Sequence, residues 1–493
     1  MPWKKPGLPE ALNADSERLL TIDLGTTSCK VSLFAPDGAR TGSCEAAYPL
    51  ASPEPGAAEQ DPAWWQAALW QTLGKLADQQ PEQMRAVAGI GLTAQMNSLV
   101  LLDASGNPLG TALSSLDQRS VPHSARLRQE FAKRGLSNYA GYNGTLGRIF
   151  WLREQRSKQF SSSAHLLDAR GLVNFWLTGE MGVDASIGVR AWTGELATAL
   201  GCPPEKLPPV YLPWQAAGRL RPELARRFYL PEGASVVIGS GDGACANLGV
   251  GAIHPGQGCI SLGTTGVLRA VLLEPLPVAS RIPSFSYPFL GSLWLGGAFY
   301  PAGACLQWLR SWLAPSVPTE AGEAWLQALL PDASRLPPGA EGLVFLPFLF
   351  GQGQAEEEKF ASLQGLRFSH RPAHLLRAVL EGTAFALRSG LEFLEGRGGS
   401  IPDWRATGGG MRLPLWRQIV ADVLERPLRL TNGDSSLGAA LLAAIGAGLY
   451  PDLPAAVAAM VQTEVEINPE AQGKPAYRRV YTAYQEAGLP VET

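Results

Sequence analysis

The heptapeptide Ile22-Asp23-Leu24-Gly25-Thr26-Thr27-Ser28 returns almost half the chain length later as Ile260-Ser261-Leu262-Gly263-Thr264-Thr265-Gly266, and strand-like runs follow both copies. A chain that repeats itself at this interval is expected to fold as two related halves. Each copy reads as a β-strand ending in a Gly-Thr-Thr turn. The glycine lets the backbone approach a ligand, and the amide N–H groups and hydroxyls can donate to phosphate oxygens. Two such hairpins facing one cleft would grip a polyphosphate from both sides. The copies differ at an informative place: Asp23 in the first stands where Ser261 stands in the second. A single carboxylate beside bound phosphates is a natural holder of hydrated Mg²⁺. Either turn alone also fits an ordinary hairpin, since glycine and threonine are common turn residues; the pairing carries the weight.

At 493 residues the chain exceeds the size at which one hydrophobic core keeps growing, so two sizeable domains are expected on this ground as well. Hydrophobic residues make up 46% and charged residues 17%, enough for an ample core and unlike a disordered chain. A net charge of −3 without a dense Lys/Arg run offers no general attraction to nucleic acid or anionic membrane. The expected partners are small molecules, and a homodimer is the assembly entertained. The six cysteines (Cys29, Cys44, Cys202, Cys245, Cys259, Cys305) are scattered singly, which suits reduced thiols in the cytoplasm. No apolar stretch reaches the ~18 residues of a membrane span, and residues 1–18, with three prolines near Lys4 and Lys5 and no apolar core, read as a flexible tail rather than a signal peptide.

Strands alternate with helices in both halves, which argues an α/β architecture. Asp61 before Pro62 caps a helix on which Trp65, Leu69, Leu73 and Leu76 recur at helical spacing. The expected domains are 19–233 and 234–450, followed by a helical extension at 451–493. His370 and His374 are four apart with Pro372 between them, which argues against a helical metal pair and for surface positions.

Asp242 ends the apolar run Ala234–Ile238 inside Gly239-Ser240-Gly241-Asp242-Gly243, with helix-like sequence after it. A carboxylate at the C-terminal end of a strand in an open α/β sheet points into the crevice where such folds bind ligands. An N-cap aspartate fits the same pattern, and both readings stand at this point. The segment also matches a dinucleotide G-x-G-x-x-A, yet no Asp or Glu occurs from Gly243 through Leu273 to hold a ribose. Gly408-Gly409-Gly410-Met411 before a helix could bring backbone close to a nucleotide.

Together these motifs resemble the FGGY carbohydrate kinases of the actin/Hsp70/sugar-kinase superfamily, from about Leu20 to Tyr450. Further carriers of the resemblance are Ala406-Thr407-Gly408-Gly409-Gly410, Leu415-Trp416-Arg417-Gln418 and Ala421-Asp422-Val423-Leu424. The resemblance implies two ribonuclease-H-like domains around a central cleft, with ATP and Mg²⁺ as cofactors and an open-chain sugar or polyol as phosphate acceptor. Asp242 then corresponds to the general base and Asp23 to the metal-associated acid. Gly25, Thr26, Thr27, Ser28 and Lys30 correspond to the first phosphate hairpin, Gly263, Thr264 and Thr265 to the second, and Gly409, Gly410 and Met411 to the adenosine contact. Gln95, Met96, Asn97, Asp117 and Arg119 fall where the family lines its sugar pocket. Phosphoryl transfer needs positioned phosphates, Mg²⁺ and a base beside the attacking hydroxyl more than a covalent nucleophile, so the chemistry agrees.

On substrate, Glu59-Gln60-Asp61-Pro62-Ala63-Trp64-Trp65 resembles xylulose kinases, while residues 240–249 and Met96-Asn97-Ser98-Leu99 resemble gluconate kinases. Asn97 replaces the usual histidine of both, Ser115 replaces a usual tryptophan, and Gly351–Glu358 departs from the usual Gly-Glu-Arg-x-Pro. D-xylulose is the favoured acceptor and gluconate the alternative. A non-catalytic sugar or nucleotide sensor on the same fold is the rival of another class.

Overall fold

The structure, a computed structural model, describes residues 17–134, 144–184, 201–276, 282–315, 324–349 and 360–488. Most of the N-terminal tail and the Gly351–Glu358 loop therefore lie outside the described residues. The strands that build the two main sheets are β1 Arg18–Leu24, β2 Ser28–Phe34, β3 Arg40–Ala47, β4 Val87–Ala94, β5 Ala216–Arg219, β6 Ser235–Gly241, β7 Gln257–Leu262, β8 Thr265–Leu272, β9 Ser284–Phe289, β10 Leu293–Pro301, β11 Asp403–Thr407, β12 Leu428–Thr431 and β13 Thr463–Ile467. Six helices matter for the site: α1 Pro62–Gln79, α2 Asp242–Gly249, α3 Gly303–Leu313, α4 Pro372–Gly398, α5 Pro414–Leu424 and α6 Ser435–Gly446.

The chain divides into two compact units. One comprises Met1–Gly251, Pro288–Ser292 and Gly433–Gln462; the other comprises Ala252–Tyr287, Leu293–Asn432 and Thr463–Thr493. The expected boundary at 233/234 thus moves. β6 pairs in parallel with β4 in the sheet of the first unit, because its apolar residues Val236, Val237 and Ile238 are fully buried there. The chain also re-enters the first unit at Gly433.

In the first unit the sheet runs β5-β6-β4-β1-β2-β3. β1 is antiparallel to β2 and parallel to β4, which is parallel to β6. In the second unit the order is β9-β10-β8-β7-β11-β12-β13, with β7 antiparallel to β8 and parallel to β11, which is parallel to β12. Strand for strand and direction for direction, the second sheet repeats the first and adds an edge strand. The sequence repeat is therefore a repeat of topology. It is imperfect at the turn: the last paired residues are Leu24 and Cys29 in the first hairpin but Leu262 and Gly266 in the second, so the first turn is one residue longer.

β1 is largely buried on both faces, as a central strand covered on both sides must be, with only Arg18 and Asp23 partly open. Trp65, Leu69, Leu73 and Leu76 of α1 are buried against the first sheet's core, each contributing roughly 1.5–3 kcal/mol of apolar burial. Asp61 caps α1, its carboxylate accepting from Ala63 N at 2.8 Å. The opposite face is covered by α6, which lies close enough that glycines are obligatory. A Cβ on Gly91 would stand 2.2 Å from Ala439 O, and one on Gly438 would stand 1.9 Å from Cys245 O. In the second unit α4 and α5 pack a core that includes Phe385, Trp404 and Trp416.

The expected helical extension is mixed: between helices Leu453–Met460 and Lys474–Ala487 runs β13, which adds to the edge of the second sheet beside β12. Its Thr463, Glu464, Val465 and Glu466 are exposed, so it shows no burial pattern to read from sequence. His374 is buried rather than at the surface; its Nδ1 accepts from Arg371 N at 3.0 Å, closing a capping box at the start of α4.

Candidate active site

Three parallel strands of the first unit end in step. Leu24 of β1 and Gly241 of β6 both pair with Ala94 of β4, and one row earlier Asp23 and Ser240 both pair with Thr93. Immediately beyond this row come the Gly25-Thr26-Thr27 turn, Gln95-Met96-Asn97 and Asp242. Three groups of residues distant in sequence therefore emerge at one sheet edge, the carboxyl end of its parallel strands, where open α/β sheets bind ligands.

Asp242 is the first residue of α2; the N-cap position belongs to Gly241 and carries no side-chain bond. The carboxylate accepts from the adjacent Gly243 N at 2.7 Å, and the N-cap alternative falls away. Two glycines allow the approach. Gly239 has φ +70 with a would-be Cβ 1.6 Å from Leu92 O, and a Cβ on Gly241 would stand 2.5 Å from Met96 Cγ, which places Met96 against the base of the Asp242 segment.

Asp23 receives a hydrogen bond from Ser435 Oγ on Oδ2 at 2.6 Å, and Oδ1 has no hydrogen-bond donor among the described residues. Burial raises its carboxyl to about 6, the Asp242 and Asp434 carboxylates push in the same direction, and Ser435 and Lys30 oppose them. A carboxylate with one oxygen held and one open fits a hydrated Mg²⁺. No cluster of three or more metal-ligating side chains occurs among the described residues, so phosphate oxygens and water would complete the shell, as is usual for Mg²⁺.

The first Gly-Thr-Thr turn is held from behind. Gln60 Nε2 donates to Thr26 O at 2.7 Å, Tyr48 N donates to Thr27 O at 3.0 Å and the Tyr48 hydroxyl donates to Gly25 O. With its carbonyls engaged, the turn keeps the N–H groups and hydroxyls of Thr26 and Thr27 without protein acceptors among the described residues. Ser28 Oγ donates to Glu45 at 2.5 Å. Lys30 is cross-strand from Asp23, and its Nζ pairs with Asp434 at 3.0 Å.

Gln95 is buried, donating to Gln60 Oε1 at 2.8 Å and accepting from Ser114 Oγ at 3.3 Å; Gln60 thereby links the phosphate turn to the sugar-pocket segment. Asn97 has φ +59, a left-handed conformation that asparagine tolerates better than most residues. Asp117 and Arg119 are largely used by the protein itself. Asp117 accepts from Ala58 N and Arg119 N and is gripped by the Arg119 guanidinium at 2.7 Å. Arg119 also pairs with Glu54 and Glu59 and lies 4.4 Å over the Trp151 ring. These two residues brace the walls of the first unit more than they offer free donors.

In the second unit the corresponding edge carries the second turn and the glycine run. Ala302 N and Ala304 N donate to Thr264 O at 3.1 and 2.9 Å, tying the turn to the start of α3, while Gly263, Thr264 and Thr265 are exposed. β11 pairs with β7 through Ser261 and Thr407, so Gly408-Gly409-Gly410 leaves beside Leu262. Gly408 has φ +99 and no room for a Cβ, which would stand 2.5 Å from Leu262 O; a Cβ on Gly409 would meet nothing within 4 Å. The Met411 side chain is fully buried in the core, so only its backbone could meet adenosine; a Cβ on Gly410 would stand 2.7 Å from the Trp416 ring, which leaves Gly409 as the open position. By topology this run occupies the place that Gln95-Met96-Asn97 holds in the first unit.

Sequence reasoning missed Asp434, Ser435 and the bracing role of Gln60. The return of α6 to the first sheet was invisible in linear order, although an Asp-Ser-Ser cap before an apolar run was a helix-start signal.

The repeated strand–turn–strand sheets, with acids at the ends of parallel strands, define a two-domain α/β fold of the ribonuclease-H-like, actin/Hsp70/sugar-kinase type. Residues 18–249 match the N-terminal domain of the FGGY family of carbohydrate kinases and residues 258–447 match the C-terminal domain. The chain is 28% identical to a xylulose kinase of Bacillus subtilis over 95% of its length and 96% of the relative's. It is also 28% identical to a gluconokinase of the same bacterium over 88% and 87%. The crystal structure of xylulose kinase from Rhodospirillum rubrum superposes with a TM-score of 0.84 at 28% identity, covering 96% of this chain and 98% of that one. The chain belongs to the FGGY family of carbohydrate kinases. It is a phosphotransferase that uses ATP to phosphorylate an alcohol group of a sugar.

Proposed function

We propose that the acceptor is D-xylulose and the product D-xylulose 5-phosphate, with Asp242 as the general base that takes the proton from the attacking hydroxyl. The observation that carries this reading is the shared row of strand ends, which brings Asp242, Asp23, the first Gly-Thr-Thr turn and the Gln95–Asn97 segment to one edge. The N–H groups and hydroxyls of Thr26 and Thr27 receive phosphate oxygens, and Lys30 adds a positive charge. Thr264 and Thr265 offer a second set of phosphate donors, and Gly409 and Gly410 present bare backbone to adenosine. Asp23 holds Mg²⁺, which neutralises charge on the phosphates when bound. Gln95 and Asn97 bind sugar hydroxyls, with Met96 as an apolar wall. The six buried cysteines, scattered singly along the chain, support work in the reducing cytoplasm.

Gluconate is the second reading, favoured by the gluconokinase relative and by Met96-Asn97-Ser98-Leu99. ATP-dependent phosphorylation measured across ketoses, polyols and aldonates separates the two. D-xylulose giving the highest kcat/KM supports the proposal, and a preference for gluconate replaces it.

A further inference from the structure

We propose that Asp434 sets how tightly this kinase holds nucleotide, by occupying Lys30 until a phosphate takes its place. The inference rests on the reading of Lys30 as a phosphate ligand. Lys30 Nζ and Arg40 Nη2 share one oxygen of Asp434, Oδ2, at 3.0 and 2.5 Å, while Oδ1 accepts from Leu437 N at 3.1 Å and caps α6. Asp434 is thus fixed in place by the helix, and Lys30 is fixed at its base by its strand position opposite Asp23.

The side chains of Lys30, Arg40 and Asp434 are 26%, 31% and 33% exposed. An ion pair that open to water is worth only about 0–1 kcal/mol, so a phosphate bearing more than one negative charge displaces the carboxylate. Arg40 stays behind on Oδ2, and Asp434 is not stranded when Lys30 leaves. Its negative charge nevertheless remains beside the phosphates, and like charge disfavours the bound anion. The carboxylate therefore opposes nucleotide binding twice, first by competing for Lys30 and then by repulsion. For a kinase that must release ADP on every cycle, a resident competitor keeps the product from lingering.

The test is calorimetric binding of ATP, ADP and pyrophosphate, with Mg²⁺, to the full chain and to Asp434→Asn, Lys30→Gln and the double variant. Asparagine caps helices as well as aspartate does, so Asp434→Asn retains the α6 cap; Asp434→Ser, also a good cap, serves as a second neutral variant. Both neutral variants are expected to bind all three ligands about 3- to 10-fold tighter, the scale of one removed like charge near the surface. Lys30→Gln is expected to bind more weakly, and the gain from Asp434→Asn should shrink in its background. Unchanged or weaker binding in both neutral variants, with Lys30→Gln still impaired, overturns the inference alone. Wild-type affinity in Lys30→Gln overturns the phosphate reading of Lys30 and the inference with it.

Discussion

Ser435 Oγ donates to Asp23 Oδ2 at 2.6 Å although the two residues are 412 positions apart. Apart from Pro288–Ser292, the chain leaves the first unit after Gly251 and returns at Gly433, so the acid presented by the first strand is held by the start of a helix formed near the end of the sequence. One oxygen is fixed and the other is left to a ligand. Ser435→Ala frees the carboxylate to rotate. The Mg²⁺ concentration for half-maximal ATP binding should rise by about 10- to 100-fold, the effect of losing one hydrogen bond to a charged group worth roughly 1.5–3 kcal/mol. Ser435→Thr, which keeps the hydroxyl, should restore it. Titration of Mg²⁺ against a fluorescent ATP analogue reads both.

Asp23 also sets a pH dependence. Its carboxyl is raised to about 6 by burial first and by Asp242 second, above the ordinary value near 3.8. Because the folded-state value lies above the unfolded one, ionising Asp23 costs stability as pH rises through about 6, and a bound cation offsets that cost. Mg²⁺ should therefore raise the unfolding temperature more at about pH 7.5 than at about pH 5.5. Asp23→Asn should respond equally weakly at both, as followed by scanning calorimetry.

Gly91→Ala should destabilise the first unit by about 1–3 kcal/mol, the cost of overpacking, because its new methyl would stand 2.2 Å from the Ala439 carbonyl oxygen. Backbone on both sides leaves little to yield. Denaturant unfolding followed by tryptophan fluorescence measures the loss.

Asn97→Ala should raise the sugar KM by about 10-fold or more while leaving the ATP KM within about 2-fold, since a site built around hydroxyls loses affinity when a polar partner is removed. Asp117→Ala should behave differently. Its carboxylate holds Ala58 and Arg119, so its loss should lower stability and impair both substrates. Steady-state kinetics with thermal melts on the two variants separates binding from bracing.

Much of this was legible in the sequence because it is local. The Gly-Thr-Thr repeat announced two equivalent hairpins, and Asp61-Pro62 with Trp65, Leu69 and Leu73 announced α1. What escaped depends on contacts between distant segments. β6 reads as the opening of a new domain until its pairing with β4 is seen, and α6 reads as a helix of the second half until Gly89 and Gly91 of the first sheet are found against its backbone. β13 hid because it is an exposed edge strand with only Ile467 buried. At the site, sequence supplied Asp23, Asp242 and the turns, which sit in glycine-rich motifs. It did not reveal that Lys30 would be paired with Asp434, that Arg119 would be consumed by Asp117, Glu54 and Glu59, or that Met411 would point inward.

Asp242→Asn puts the central claim at risk, because the substitution preserves shape and hydrogen bonding to Gly243 while removing the basic oxygen. Purified Asp242→Asn should melt within a few degrees of the parent and bind ATP with unchanged affinity. Its kcat with the best sugar should fall by roughly 100- to 10,000-fold, the worth of a positioned general base. Turnover at a near wild-type rate would mean that Asp242 does not take the proton, and that the row of strand ends serves binding without supplying the base.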